Sequence, residues 1–231
     1  MGLFSFIVGA IGSVCSAIGS VCSAIGGVVM KGVSALATGI ARVGEMAGGL
    51  IHFISNLCTG MGLKPAEEEP QEIGLKAEKC GERPEDYDSV EDYINHLRKD
   101  IEIDHEELNK LSEMDKLKYG CIGSALYVKN MEERYNMAMP LSYLKTAQKV
   151  IESGNMTEGE VKGTLDVMKE KGVENAESFS NYIEGKATVE EQMVIYDSMK
   201  EALHREFPNL SEADLNVKVA HIKDFMKQDK E

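Results

Sequence analysis

The chain has 231 residues, of which 28% are charged and 43% are hydrophobic, and its formal net charge is −14. This length fits one large domain or two small ones. The charge is unevenly distributed, because residues 1–63 contain only Lys31, Arg42 and Glu45, and residues 64–231 therefore carry a net charge of −15. The uneven charge favours a division of the chain into two regions. The acidic surface of residues 64–231 would repel a phosphate backbone, which argues against nucleic acid as a partner.

Residues 2–30 contain no charged side chain, and they include one heptad written twice, IGSVCSA at 11–17 and at 18–24. On a helix the bulky residues of this segment form one stripe, made of Ile11, Val14, Ile18, Val21 and Ile25. The small residues form a second stripe beside it, made of Gly12, Ser16, Gly19, Ser23 and Gly26. Small residues at this spacing let helix backbones approach closely, as they do when helices associate in lipid. The pattern predicts a helix that packs and oligomerises through its small-residue stripe.

A second apolar stretch continues the same rhythm up to residue 63. Arg42 and Glu45 lie three residues apart, so they are predicted to pair on one helical turn and to form a polar pair inside a membrane assembly.

Three arrangements are open for residues 1–63. The first is an inserted helical hairpin with its turn near Lys31 and Gly32; the second is one inserted helix followed by an interfacial helix; the third is a region outside lipid, buried in an oligomer or a filament.

Residues 64–88 contain three of the five prolines and an acidic run at 67–69, with little apolar periodicity. This composition is typical of an extended linker. The sequence therefore predicts three regions: an apolar, glycine-rich region that inserts or oligomerises at 1–63, a Pro/Glu-rich linker at 64–88, and an acidic helical domain at 89–231.

The remainder of the chain carries repeated helix signals. A hydroxyl residue stands three positions before an acidic residue at Ser89, Ser112, Thr157, Thr188 and Ser211, as in a capping box. Gly154, Gly172 and Gly185 stand where left-handed C-caps are expected. These signals predict an all-α fold with helices at 89–110, 113–137, 141–153, 158–171, 175–184, 189–206 and 212–228. The most apolar run of this half, residues 119–128, is predicted to be the centre of its core.

No residue set in the sequence indicates catalysis. The five cysteines form neither a CxxC pair nor a Cys/His ligand spacing, no two histidines stand at the i, i+4 spacing of a helical metal site, and nucleophile-elbow, phosphate-loop and dinucleotide motifs are absent. We therefore expect no catalytic residue, no metal, no cofactor and no enzymatic activity.

The pattern favours a membrane-active helical protein whose residues 1–63 insert and self-associate, as in a pore-forming toxin or effector delivered to a target cell. The alternative is a self-assembling structural or adaptor protein whose N-terminal helices form a filament, a shell contact or an anchor. The expected partners are a lipid bilayer, further copies of the chain and a protein on the acidic domain, such as a chaperone, an immunity protein or a secretion machine. The expected location is a membrane, with the C-terminal domain in the cytoplasm.

Overall fold

The computed structural model describes the backbone of residues 2–228 and the side chains of these residues except 2–9, 105 and 224–228. Over this part the protein is 77% helical and has no β-strand, which confirms the all-α class. The α-helices are α1 (Gly2–Ile25), α2 (Val28–Arg42), α3 (Ala47–Gly60), α4 (Pro70–Cys80), α5 (Val90–Asp100), α6 (His105–Lys110), α7 (Glu113–Tyr135), α8 (Leu141–Glu152), α9 (Glu158–Glu170), α10 (Glu177–Glu184), α11 (Val189–Glu206) and α12 (Glu212–Gln228).

All five predicted start signals form helix caps. The side-chain oxygens of Ser89, Ser112, Thr157, Thr188 and Ser211 accept the backbone N–H three residues later, at 3.0 to 3.2 Å. At Thr157 and Thr188 the acidic residue also accepts the N–H of the hydroxyl residue, at 2.8 Å, which completes the capping box. The predicted stops Gly154, Gly172 and Gly185 have φ of 72°, 73° and 73°, so these three are left-handed as expected.

The predicted helix over 89–110 is wrong in one respect, because it is two helices. Helix α5 ends at Asp100 and α6 begins at His105. Asp104 has extended backbone geometry, and its carboxylate accepts the N–H of Glu106 at 2.9 Å. The side chain therefore caps a new helix instead of continuing the old one.

Residues 64–88 do not form an extended linker, because Pro70–Cys80 form α4 with Ile73, Leu75 and Ala77 buried. Pro70 stands in the first turn of this helix, and Gly81 ends it with φ 68°. Proline near the start and glycine just after the end are ordinary helix boundaries. The proline and glutamate content predicts an extended chain. The helix forms instead because one apolar face of residues 70–80 is buried.

The chain divides into two compact units, residues 1–133 and 134–231. These units do not coincide with the three regions predicted from composition. Helices α1–α6 and most of α7 belong to the first unit, and α8–α12 belong to the second. The N-terminal apolar region and α4 therefore share one unit with the first half of the acidic region.

In the first unit α1 and α2 pack against each other as a helical hairpin. Its turn lies at Gly26 and Gly27, whose φ values are 81° and 91°, and not near Lys31 as predicted. Positive φ is inexpensive only for glycine, so the pair of glycines places the turn. The buried side chains between the two arms include Val14, Ile18, Val21 and Ile25 from α1 and Met30, Val33, Ala37 and Ile40 from α2.

Helix α7 carries the apolar run 119–128, and every residue of this run is buried. A methyl group on Gly74 of α4 would overlap the carbonyl oxygen of Tyr119, and a methyl group on Gly123 of α7 would overlap that of Pro70. The backbones of α4 and α7 are therefore in direct contact at two glycines. The run forms a buried helix as predicted, but it lies in the first unit and not at the centre of a separate domain 89–231.

The second unit is built around the pairing of α9 with α11. Its core includes Leu165, Met168, Ile195, Met199, Leu203, Leu215, Val219 and Ile222, all at most 1% exposed. Tyr143 of α8 and Phe179 of α10 add an edge-to-face ring contact with centroids 5.8 Å apart. These apolar faces follow the helical periodicity of the sequence.

Candidate functional site

The bulky stripe of α1 faces the interior of the first unit. Val14, Ile18, Val21 and Ile25 are 6% exposed or less, and Ile11 is partly exposed. These side chains pack in the hairpin with α2. In this arrangement the stripe forms part of the hydrophobic core.

The small-residue stripe lies on the outside of α1. Gly12, Ser16 and Ser23 are exposed, and Gly19 and Gly26 are partly exposed. A methyl group added at Gly12, Gly19 or Gly26 would meet no atom within 4 Å. We call these five residues the α1 small-residue face. No helix of the described chain packs closely against its glycines.

The surface of α1 is also uncharged. No residue from 10 to 25 is ionisable except Cys15 and Cys22, of which Cys22 is buried. The exposed positions are glycine, serine and alanine, and the hydroxyl of Ser20 donates to the carbonyl of Ser16 at 3.0 Å. The Ser20 hydroxyl is therefore satisfied within α1. A surface of small, uncharged residues suits contact with another helix better than contact with water alone.

Arg42 and Glu45 do not form the predicted pair. Helix α2 ends at Arg42, and Gly44 follows with φ 64°, so Glu45 lies in a short 3₁₀ turn at Gly44–Met46. Both side chains are exposed, and no ion pair joins them in the described structure. The spacing of three residues brings side chains together only within a continuous helix, and Gly44 interrupts it.

A buried ionic cluster of the first unit involves the segment predicted to be a linker. The guanidinium of Arg98 donates to both carboxylate oxygens of Glu68 at 2.8 Å and to the carbonyl of Leu63 at 2.9 Å. Glu68 is 8% exposed, and it also accepts the hydroxyl of Tyr127. Burial together with the Glu68 carboxylate raises the pKa of Tyr127, so its hydroxyl remains a donor.

The ammonium group of Lys64, 6% exposed, extends this cluster by donating to the carbonyls of Pro65 and Glu68 at 2.8 and 2.6 Å. The charged groups of the cluster thus have close partners within the chain. This arrangement attaches residues 63–68 to α5 and α7. It accounts for the order of the segment and presents no free group for chemistry.

A second cluster brings together three metal-ligating residue types. One ligand atom each from Cys80, Glu82 and His96 lies within 4.8 Å of the other two. Cys80 is the last residue of α4, Glu82 follows the left-handed Gly81, and His96 stands in the middle of α5. The Nε2 atom of His96 is 3.8 Å from a carboxylate oxygen of Glu82. Cys80 and His96 are partly buried, whereas Glu82 is exposed.

Neighbouring side chains orient this cluster. The Nδ1 atom of His96 is 2.9 Å from a carboxylate oxygen of Asp100, one turn further along α5. Tyr87 donates its hydroxyl to Glu82, and its ring lies 5.1 Å from the ring of His96. Burial raises the pKa of the Cys80 thiol above its ordinary value. Within the part of the chain that the structure describes, Cys80, Glu82 and His96 are the only three metal-ligating side chains whose ligand atoms lie this close together.

Sequence reasoning did not find this cluster, because Cys80 and His96 are 16 residues apart and no spacing motif joins them. One local signal was present: His96 and Asp100 stand at i, i+4 on a helix, the spacing at which a carboxylate orients an imidazole. The proximity of Cys80 depends on the turn between α4 and α5.

Among the described residues no helix combines the length and the apolarity needed to span a bilayer. Comparison of the chain with protein families, with curated proteins and with solved structures found no match.

Proposed function

We propose that this chain is a non-enzymatic, self-assembling helical protein, and that copies associate through the α1 small-residue face. The observation that carries the proposal is the exposure of this face: Gly12, Ser16 and Ser23 are exposed, and the glycines have open space above them. In a chain with a net charge of −14, a long helical surface without charge is unusual. Packing of this face against another helix would account for the absence of charge on it.

Two features support a second copy of the chain as the occupant. The heptad at 11–17 is repeated without change at 18–24, so α1 presents the same surface twice, about 10 Å apart along its axis. Two such helices match each other over both repeats. Because neither surface is charged, the contact brings no like charges directly against each other.

The test is the oligomeric state of the full chain over a range of protein concentrations, measured by sedimentation velocity. In the double variant Gly12→Leu with Gly19→Leu, larger side chains cover the face, and the Cβ atom of each would meet no atom within 4 Å. We expect this variant to lose the oligomer while it keeps its helical circular dichroism. Gly26 is left unchanged, because its φ of 81° makes a side chain there unfavourable for the hairpin itself.

The matched control is Gly48→Leu with Gly60→Leu. Both glycines belong to α3, both are exposed, and a methyl group at either would meet nothing within 4 Å. This control has the same two changes of residue type and should assemble like the unmodified chain. A monomeric unmodified chain at all concentrations, or equal loss of assembly in both variants, would contradict the proposal.

Insertion of the α1–α2 hairpin into a bilayer is the second candidate. It is favoured by the uncharged sequence up to residue 30 and by Val28, which is 76% exposed beside the Gly26–Gly27 turn. Insertion requires the bulky stripe to leave the interior of the first unit. The test is release of an encapsulated dye from phosphatidylcholine vesicles by the full chain. Release that disappears in the Val28→Asp variant supports insertion, and absence of both binding and release rejects it.

The expected protein partner of residues 89–231 and the expected cytoplasmic position of that part belong to the same proposal. The acidic composition of residues 89–231 supports a partner whose surface is basic or of mixed charge. Affinity purification of the full chain from its native cells, followed by identification of bound proteins at low and high salt, is the measurement that checks this expectation.

A further inference from the structure

The end of α4 and the middle of α5 converge on the cluster formed by Cys80, Glu82 and His96. The three ligand atoms already lie within 4.8 Å of one another, although the three residues come from two helices and the turn between them. Tetrahedral zinc, with bonds of about 2.0 to 2.3 Å, separates its ligand atoms by roughly 3.3 to 3.6 Å. The 3.8 Å between His96 Nε2 and the Glu82 carboxylate needs only a small contraction.

We propose that Cys80, Glu82 and His96 bind one zinc ion. A thiolate, an imidazole nitrogen and a carboxylate oxygen are all ordinary zinc ligands, and the thiolate makes calcium and magnesium poor occupants. Glu82 has 56% of its side chain exposed, so it can move towards an ion without disturbing the core. The site supplies three protein ligands, and water occupies the fourth position.

The orientation of His96 is the observation that distinguishes this cluster from a chance grouping of polar side chains. When Nδ1 carries the proton and donates it to Asp100 at 2.9 Å, Nε2 keeps its lone pair and faces Glu82. A carboxylate behind a histidine is the usual outer partner of a zinc-binding imidazole, since it fixes the tautomer and makes the nitrogen more basic. Here it is provided within one turn of α5.

A buried hydroxyl beside the cluster is the second observation. Tyr93 is fully buried, and its hydroxyl has no hydrogen-bond partner among the described residues. The ring of Tyr93 lies 5.3 Å from the ring of Tyr87, which donates its hydroxyl to Glu82 of the cluster. An unpaired buried hydroxyl is costly, so Tyr93 has a free donor for a group bound close to it.

Zinc would act on the turn that connects α4 to α5. Glu85, which lies in this turn, accepts the backbone N–H of Val29 at 2.6 Å and so contacts the first turn of α2. An ion held by Cys80 and Glu82 before Glu85 and by His96 after it would restrict this turn at both ends. The site would therefore stabilise the attachment of the hairpin to the first unit, whether or not the chain self-assembles.

The experiment is titration of the full chain, first freed of metal with a chelator, with cobalt(II), followed by displacement with zinc(II). Cobalt reports its ligands through absorption, because a thiolate ligand adds a charge-transfer band. We expect one equivalent of cobalt with this band, displacement by one equivalent of zinc, and a higher melting temperature in zinc. Binding should weaken on acidification, since the thiol and the imidazole must lose their protons.

The variants Cys80→Ser and His96→Ala should lower the affinity for cobalt at least tenfold, and Cys80→Ser should remove the charge-transfer band. Asp100→Asn, which leaves all three ligands in place, should weaken binding by about 10- to 100-fold. The controls are Cys15→Ser and His52→Ala, which change a partly exposed thiol and an exposed imidazole outside the cluster and should bind like the unmodified chain.

Circular dichroism of each variant without metal shows whether it is folded, and the zinc-dependent melting temperature of the unmodified chain is independent of any variant. Absence of a cobalt band together with an unchanged melting temperature in zinc would overturn the proposal. Equal cobalt affinity in Cys80→Ser, His96→Ala and the unmodified chain would also overturn it. None of these readouts depends on oligomerisation.

Discussion

At the scale of single residues, the glycines of this chain have two different environments. Gly12 and Gly19 of α1 face open space, whereas Gly74 and Gly123 bring the backbones of α4 and α7 into contact. Residue type and spacing are similar in both cases. The difference lies in whether another backbone occupies the space that a side chain would need.

We predict that Gly123→Ala lowers the free energy of unfolding by about 1 to 3 kcal/mol, because the new methyl group would overlap the carbonyl oxygen of Pro70. Gly74→Ala should act similarly through the carbonyl of Tyr119. The measurement is urea denaturation followed by circular dichroism. Gly48→Ala is the control, and it should be neutral or stabilise by up to about 1 kcal/mol, because it has open space. Equal effects at all three positions would show that α4 and α7 are not in contact.

Two arginine–glutamate pairs of similar geometry differ mainly in burial. Arg98 and Glu68 have side chains 18% and 8% exposed, whereas Arg205 and Glu170 are 47% and 54% exposed. In each pair two guanidinium nitrogens donate to the two carboxylate oxygens. Water screens the charges of the exposed pair and can solvate either one if its partner is removed. A buried charge that loses its partner is not solvated in this way.

We therefore predict that Arg98→Met lowers the free energy of unfolding by about 3 to 5 kcal/mol, because the Glu68 carboxylate would remain buried without its partner. Arg205→Met should leave the denaturation curve almost unchanged. Both variants can be compared by urea denaturation of the full chain. A similar response of the two variants would mean that the Glu68 site is open to water.

At the scale of elements, helix ends depend on both local and distant groups. Five N-caps are provided by hydroxyl residues directly before their helices, whereas the N-cap of α2 is Gly27, which has no side chain. The Glu85 carboxylate takes its place by accepting the N–H of Val29. A side chain on Gly27 would occupy the position of this carboxylate. An anion at a helix N-terminus is favourable because it faces unpaired N–H groups and the positive end of the dipole.

We predict that Glu85→Ala accelerates hydrogen exchange of the Val29 amide, with a local cost of about 1 kcal/mol, because this amide loses its side-chain acceptor. The measurement is amide exchange by NMR. Asp88→Asn is the control, since it removes a negative charge from the same turn without touching α2, and it should leave the exchange of Val29 unchanged. Equal acceleration in both variants would attribute the effect to net charge and not to the cap.

At the scale of the whole molecule, the apolar residues 1–63 are part of a compact unit that extends to residue 133. Gly120 of α7 contacts Ile51 of α3, and Gly32 of α2 faces the side chain of Lys129. The N-terminal helices thus cover α7, which contains the longest buried apolar run of the second half. A region that looked separable by charge is part of the core of its neighbour.

We predict that residues 64–231 without the N-terminal region expose this run, because α7 would lose the cover of α2 and α3. The truncated chain should bind a hydrophobic dye and lose part of its cooperative unfolding, while α8–α12 keep their helical signal. Dye fluorescence and urea denaturation of both chains check this result. Unchanged unfolding of the truncated chain would instead support the division at residue 63.

Most helix ends after residue 88 could be predicted from the sequence because the bonds that define them are local. A capping hydroxyl reaches an N–H three residues away, and a left-handed glycine needs only its own φ, so Ser89, Thr188 and Gly185 function as expected. The apolar stripe of α1 could also be identified, since burial follows the helical period. The break between α5 and α6 at Asp104 also depends on a local bond. It was missed because apolar residues follow the helical periodicity on both sides of it.

The partners of these helices could not be predicted, because they depend on contacts between residues far apart in the chain. Composition separated residues 64–88 from their surroundings, yet burial of Glu68 against Arg98 and of Gly74 against Tyr119 makes them part of the first unit. The same long-range packing brings Cys80 to His96. For α1 the sequence specifies two stripes, and the tertiary structure selects which of them is buried, since the bulky side chains gain more from leaving water than the glycines do.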